Sequence, residues 1–582
     1  MSFAFGGHHR PSLANDARGP TDRGGPNEGS VSTGSALANG GLGAALARHG
    51  PVAALGVVAL ALLLRIPGVT GWWLNPDEGI YYAILTQERF ATFWLEAKAT
   101  AHPPLYFLIL RAVGWLTTDF VWLRSIALLS GCAAVLVLVL VGREMVEDEE
   151  RGWVTGLSAG LLLAVSPTAI VLSQVIRPYM LLVLLLACAL YVVLRYLRRP
   201  SGGLLWAYAA VASLAVLLHY SAILGLSVFG AIVIGDGLAH GFGRPPWRRL
   251  LAVQAVPGVI LVALYFWHLR ALMGSTEAQF ARQSWLASFM IGSPGEAWLA
   301  FVGFHSMLVG NALAMAAALL SLVALAWGAW GRAWTPLLLV GTGFVVAVAG
   351  AATELYPFGG SRHAAWLLAS ATPGLGWVIG LTLTSWRRAA TLSVPVVGAV
   401  VVAAAPWGAT LGAELRAREV GEQVLRQEHV AAMAEILDPR GEPRVVLMSL
   451  ETYRLLVPLF ARERQGAASS PDRLFAHFRW GERDVIVLPG ADFAVGPNQV
   501  GQPNHLYSAA HVAAAGFGVA LPEPGDHVLV LSGGWQVQGI FDLANLSREL
   551  GFAGTTTSVP GLIGLSLDLE AYGRALGRLE GS

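Results

Sequence analysis

The sequence predicts an all-α polytopic membrane protein of about 11 transmembrane helices, followed by a C-terminal extracytoplasmic α/β domain. Three observations carry that expectation. Only 13% of the 582 residues are charged and 55% are hydrophobic, whereas a soluble protein carries about 25% charged residues. Charge-free apolar windows recur as far as Trp407, and about 20 such residues cross roughly 30 Å of hydrocarbon as helix. Beyond Trp407 the chain turns polar and carries short β-branched runs. The net charge of +1 offers no field to steer nucleic acid, so no nucleic-acid partner is expected. Cys132 and Cys188 both lie in apolar runs, which indicates neither a disulfide framework nor a thiolate zinc site.

Residues 1–50 mix Gly, Ser, Pro and Asn with scattered Arg and read as a disordered cytoplasmic tail. The first apolar window therefore reads as a membrane span rather than a signal peptide. Residues 51–410 form the membrane domain. Its windows are Val52–Ile66, Arg124–Val141, Trp153–Val175, Pro178–Leu197, Leu204–Leu218, Ala222–Ile234, Leu250–His268, Phe304–Trp327, Pro336–Ala352, Ala364–Trp386 and Leu392–Trp407. Basic clusters set the orientation. Arg195, Arg198 and Arg199, then Arg244, Arg248 and Arg249, then Arg332, and finally Arg387 and Arg388 all fall inside. The segment around Arg177, Leu269–Trp298, Tyr356–His363 and everything after Trp407 then fall outside. This places the protein in the cytoplasmic (inner) membrane. Pro103–Leu116 is short, begins with two prolines and contains Arg111. It reads as an interfacial helix; other assignments would give twelve or thirteen spans.

The outer loop over residues 67–121 is long and aromatic, and long ordered loops tend to be functional. Asp77 and Glu78 follow the first span directly, and the string HPPLYF begins at His102. A carboxylate pair at a bundle mouth can act as a base, hold a cation or be solvated. The two prolines fix the exit of the chain from the loop.

The order of these motifs, continued by LRSIALLSG and SQVIRPYMLLVLLLACALYVVLR, resembles the family 39 type of polyprenyl-phosphate-sugar glycosyltransferases. That group has the GT-C membrane fold and includes protein O-mannosyltransferases and lipid A aminoarabinose transferases. The resemblance covers about residues 52–410. It implies Asp77 as the general base, with Glu78 beside it as a catalytic neighbour. It further implies a donor site of His102, Arg124, Arg177, Tyr179, Arg362 and His363, although His363 stands where relatives carry Tyr. Arginines at outer helix ends suit a leaving phosphate through paired charged hydrogen bonds, and each has the alternative of snorkelling or structural pairing. The reading implies a lipid-linked sugar donor, a glycan, glycolipid or protein acceptor, and the bilayer as partner. No obligate metal is expected. His102, Glu96, Glu354 and His363 could hold a divalent ion but share no ligand spacing. His219, Tyr220 and His305 read as structural. A transporter or flippase is the rival reading, and it predicts ionisable groups at mid-membrane.

Residues 411–582 read as a soluble α/β domain. Glu414–Leu437 has helical periodicity, and Arg444–Met448, Asp484–Leu488 and His527–Leu531 are strand-like runs. Ser532-Gly533-Gly534-Trp535 is a turn rather than a nucleotide fingerprint. The domain could recognise the acceptor, cover the site, or serve as an inert cap.

Overall fold

The computed structural model describes residues 41–240, 245–274, 282–283, 286–330, 334–385, 425–460, 464–469, 476–488, 505–533 and 553–580. Residues 1–40 of the tail expected over residues 1–50, the eleventh window Leu392–Trp407 and the polar helix expected from Glu414 as far as residue 424 lie outside the described residues, whereas residues 41–50 are helical rather than disordered.

The membrane domain opens with α1 (Gly41–Arg65). Three short helices follow in the loop: α2 (Pro76–Leu85), α3 (Phe90–Lys98) and α4 (Leu105–Gly114). A helix of ten residues spans about 15 Å, so α4 is too short to cross, in keeping with its expected interfacial position. Arg111 on α4 donates to the carbonyls of Leu85, Gln87 and Glu88. It thereby satisfies groups that the end of α2 leaves open.

The bundle continues through α5 (Ser125–Met145), α6 (Glu149–Val165), α7 (Pro167–Leu172), α8 (Tyr179–Arg198), α9 (Gly202–Leu218) and α10 (Ala222–His240). After an apolar helical run over Arg248–Met273 come α11 (Pro294–Val309), α12 (Asn311–Trp330) and α13 (Trp334–Ala352). A 3₁₀ turn at Arg362–Leu367 leads into α14 (Leu368–Ser385).

Six described helices are individually long and apolar enough to cross a membrane, or seven if the bent pair α11–α12 counts as one. The expected eleven spans are not reached by that measure, for local reasons. The window Trp153–Val175 is interrupted at Ser166-Pro167, where α6 ends and α7 begins. The window Phe304–Trp327 bends by 115° between α11 and α12. Gly310 stands at that bend with φ 84°, a conformation that glycine adopts without steric cost. Helix α9 has only 17 residues.

The break before α7 has a specific remedy. Proline lacks an N–H and denies the carbonyl four residues earlier its helical partner. Arg65, fully buried at the end of α1, donates instead to Leu163 O at 3.0 Å and Ala164 O at 2.8 Å. It also reaches Ser173 Oγ and its own helix at Ala61 O, each at 3.0 Å. One guanidinium therefore joins α1 to both halves of a broken helix.

The C-terminal part is a seven-stranded mixed sheet in the order β2-β3-β4-β1-β5-β7-β6. Its parallel centre is β4 (Arg483–Leu488), β1 (Val445–Ser449) and β5 (Val528–Gly533). These are the three runs the sequence picks out. Strands β1 and β5 are buried at every position, which is why they read as continuous apolar runs rather than alternating ones. The flanking strands β2 (Arg464–Ser469), β3 (Ala476–Trp480), β6 (Ala553–Val559) and β7 (Leu562–Leu567) pair antiparallel. Helix α15 (Leu450–Phe460) connects β1 to the flank and packs against α2. Trp73 Nε1 donates to Leu455 O at 2.8 Å, and a Cβ at Gly79 would lie 2.1 Å from Arg454 O. Only glycine permits that approach.

Removing the Arg65 fork should be costly. Arg65→Met leaves two buried carbonyls unpaired, and each costs about 1–3 kcal/mol. A clear fall in the thermal unfolding temperature of detergent-solubilised protein is expected, with Arg65→Lys recovering only part of it. An unchanged transition would refute the bridging role.

Candidate functional site

The site begins at a helix start. Asn75-Pro76-Asp77-Glu78 is a capping box, in which Asn75 Oδ1 accepts from Glu78 N at 2.8 Å and Glu78 Oε2 accepts from Asn75 N at 3.2 Å. Pro76 takes the first helical position, where its missing N–H is no loss. Both carboxylates sit in the first turn, where the helix dipole favours negative charge.

The two acids then diverge. Glu78 Oε1 accepts from Arg124 Nε at 2.8 Å and from Ile176 N at 2.9 Å, and its Oε2 accepts from Arg124 Nη2 at 2.9 Å. Arg124 also donates to Val69 O, Trp72 O and Trp73 O, each at 2.9 Å. That makes five hydrogen bonds, the full capacity of a guanidinium, and both side chains are buried. This differs from the expectation that Glu78 is catalytic and Arg124 binds the donor. In the structure the pair is committed to holding the loop, and the Arg124 N–H groups are turned toward the fold.

Asp77 faces a different company. Its Oδ2 lies 2.5 Å from Arg177 Nη2 and 2.6 Å from Arg362 Nη2. Arg177 enters from the turn before α8, and Arg362 from the 3₁₀ turn before α14. Burial pushes the Asp77 carboxyl upward, but Arg177 and then Arg362 outweigh that and hold it at about 2. The guanidinium of Arg177 lies over the rings of Tyr81 and Tyr179 at 5.2 and 5.8 Å, a cation–π geometry, and reaches Tyr81 Oη at 3.4 Å.

Behind this clasp lies an aromatic wall. The rings of His102 and His219 are 4.7 Å apart, Tyr179 is 5.4 Å from His219, and Tyr81 is 6.1 Å from His102. Burial, then His219 and Arg177, keep His102 far below its ordinary value, so it is a neutral imidazole. His363 contributes to the same electrostatic field at Asp77; its Nδ1 meets Ser361 Oγ at 3.3 Å, and its carbonyl accepts from Tyr356 Oη at 3.3 Å. Asp77, His102, Arg177, Tyr179, Arg362 and His363 are thus brought together.

Two participants, Tyr81 and Glu451, were not singled out from sequence, and a third, His219, was read there as structural. Tyr81 joins Arg177 to His102. His219 is drawn in from the end of α9, where a polar pair interrupts an apolar window. Glu451 comes from α15 of the sheet domain; burial holds its carboxyl above the ordinary range, Arg454 opposes that, and Asp77 adds to it. Its Oε2 is buried with no hydrogen-bond partner. Of the other candidates, His305 is satisfied structurally by Phe301 O and Ser321 Oγ at 2.8 and 2.7 Å. Tyr220 Oη pairs with His268 Nδ1 at 2.5 Å. Glu96 accepts from Gln87 at 3.0 Å, and Glu354 is exposed. Among the described residues no group of three His, Cys, Asp or Glu could hold a metal ion.

No family model matches the chain, and no curated protein matches it in sequence. Among solved structures, the Archaeoglobus fulgidus oligosaccharyltransferase in complex with zinc and sulfate aligns over 88% of this chain and 73% of its own, with 12% identity and a TM-score of 0.51. ArnT from Cupriavidus metallidurans bound to undecaprenyl phosphate aligns over 88% and 97%, with 15% identity and a TM-score of 0.49. The oligosaccharyltransferase alignment is a likeness of fold, and the chain has the GT-C fold that the motifs implied.

The Asp77 clasp makes a signed prediction about stability. A depressed carboxyl contributes stability that is complete above its ordinary value near 4 and is lost as pH falls through about 2. The stability difference between wild type and Asp77→Asn should be constant from pH 7 to about 4. Below that it should narrow by about 2 kcal/mol, read as a converging pair of unfolding curves. A gap that persists at the acid end would contradict the assignment.

Proposed function

We propose that the protein is a membrane glycosyltransferase that moves a sugar, with inversion, from a polyprenyl-phosphate donor to a hydroxyl of a cell-envelope glycan, glycolipid or protein. The observation that carries this reading is the Asp77 carboxylate clasped by Arg177 and Arg362. Guanidinium forks match phosphate geometry, and an apolar helix bundle suits a polyprenyl chain. The shared GT-C fold supports the same reading. So does the position of the basic residues: Arg177 precedes α8, while Arg195 and Arg198 close it, about 30 Å away along a 20-residue helix. The positive-inside rule then favours a site at the outer face of the cytoplasmic membrane, with the sheet domain on that side.

At rest Asp77 is a weak base, because a carboxyl held at about 2 has little pull on a hydroxyl proton. A donor phosphate that takes N–H groups of Arg177 and Arg362 removes the charges that depress it. The acceptor oxygen then attacks the anomeric carbon while its proton passes to Asp77. The bond from that carbon to the phosphate oxygen breaks, and the two arginines hold the departing polyprenyl phosphate. Attack and departure on opposite faces invert the centre. Glu78 and Arg124 act as positioning residues that keep Asp77 aimed. Two guanidiniums already stand against the Asp77 oxygen, where a divalent cation would be repelled. The reaction proposed here is therefore independent of metal, and treatment with EDTA should leave the rate unchanged.

The test uses purified protein in lipid nanodiscs with a panel of polyprenyl-phosphate sugars. Asp77→Asn should fold and lose transfer by at least about a hundredfold. Full transfer by that variant sinks the base assignment, and solute accumulation in vesicles without transfer favours a transporter. Because the donor displaces the arginines, the acid limb of kcat should lie at higher pH than that of kcat/KM, since the two report bound and free enzyme respectively. Coincident limbs would refute the displacement.

A further inference from the structure

Beside the Asp77 clasp lies a set of buried polar atoms that the proposed chemistry does not use. His102 Nδ1, His219 Nε2 and Tyr106 Oη are all buried and have no hydrogen-bond partner. Buried polar groups nearly always find a partner, so each exception needs an explanation. These three belong to one run of touching rings: Tyr106 lies edge-on to Tyr81 at 5.5 Å, Tyr81 lies 6.1 Å from His102, and His102 lies 4.7 Å from His219. The run borders the arginines, since Arg177 lies over Tyr81 and Tyr179.

The protonation pattern follows from the contacts. Ser221 N–H donates to His219 Nδ1 at 3.1 Å, so Nδ1 is the bare nitrogen. Burial, then the nearby Arg177, hold His219 down at about 3, and the ring is neutral with its one hydrogen on Nε2. That N–H has no acceptor. His102 is neutral too, and a tyrosine hydroxyl can donate or accept. The cluster therefore offers uncharged donors and acceptors together with aromatic faces, against a cationic flank. A sugar hydroxyl can also donate and accept, and matches such a surface. With Arg177 and Arg362 engaged by the donor phosphate and Asp77, neither the ammonium of an amino sugar nor the carboxylate of a uronate would find a charged partner among the neutral rings, and an unpaired buried charge is costly.

We propose that His102, His219 and Tyr106 form the sugar subsite and select a neutral sugar, neither amino nor uronic, on the lipid phosphate. This rests on the donor reading above and names its substrate class.

The test measures binding to full-length protein in nanodiscs of four probes. These are a short-chain polyprenyl phosphate alone and the same lipid carrying mannose, aminoarabinose or galacturonic acid. Wild type should bind the mannosyl lipid about tenfold tighter than the bare phosphate, with no such gain for the two charged sugars. His219→Asn keeps an acceptor near Ser221 and removes the Nε2 donor, and His102→Gln removes Nδ1. Both should lose the gain, and His219→Asn should bind the bare phosphate within about twofold of wild type. Should an imidazole variant fail to fold, Tyr106→Phe, which removes one oxygen, carries the same comparison. A gain that survives all three substitutions, or a larger gain for a charged sugar, overturns the proposal. No binding of bare polyprenyl phosphate by wild type would instead refute the donor reading, and this subsite with it.

Discussion

The site depends on the ion pair between Glu78 and Arg124. It lies next in sequence to the residue we assign to chemistry, and its five arginine bonds collect Val69, Trp72, Trp73 and Glu78 around one buried charge. Ile176 N, donating to the same carboxylate, brings in the turn that carries Arg177. Adjacent residues on a helix point about 100° apart. One carboxylate can therefore anchor the frame while its neighbour meets the ligand. Breaking a buried pair by deleting one partner strands the other charge, so the frame and the aim of Asp77 stand or fall together.

Much of this was legible in the sequence because it depends on local chemistry. The runs at Arg444–Met448, Asp484–Leu488 and His527–Leu531 became the parallel centre of the sheet, where burial on both faces imposes continuous apolar residues. Asp77, Arg177 and Arg362 sit at helix ends that the alternation of spans assigns to one side, and they do meet. The flanking strands β2, β3, β6 and β7 were not legible, because RQGAAS and AGTTTSV carry little apolar signal and owe their form to pairing. The bend at Gly310 and the break before Pro167 interrupt windows whose composition gives no warning, since membrane helices tolerate both residues. Arg65 could not be assigned from sequence at all. Its partners Leu163 and Ala164 are backbone groups freed by a break about a hundred residues away.

The sheet domain is joined to the loop that carries the acids. Trp73 donates its indole N–H to Leu455 O, Trp73 N donates to Leu425 O at 3.1 Å, and Gly79 admits the Arg454 carbonyl. All three contacts fall within a few residues of Asp77. Any rigid shift of α15 therefore moves the start of α2, and with it Asp77. This geometry makes an inert cap a poor description of the domain, because its own Glu451 lies in the field of Asp77.

Charge placement ties these parts into one sequence of events. With Asp77 ionised between two arginines, the local balance is one negative against two positive charges, and the neutral histidines leave it so. In the mechanism we propose, the singly charged phosphodiester of the donor finds a net attraction on entering that region. Its arrival replaces Asp77 as the partner of the guanidiniums, and the carboxylate becomes more basic only then. A base that strengthens only when the leaving group is in place gives little chance for water to be activated in the empty site. On that proposal the clasp couples donor binding to the competence of Asp77 as base through electrostatics alone, with no motion larger than the exchange of one oxyanion for another.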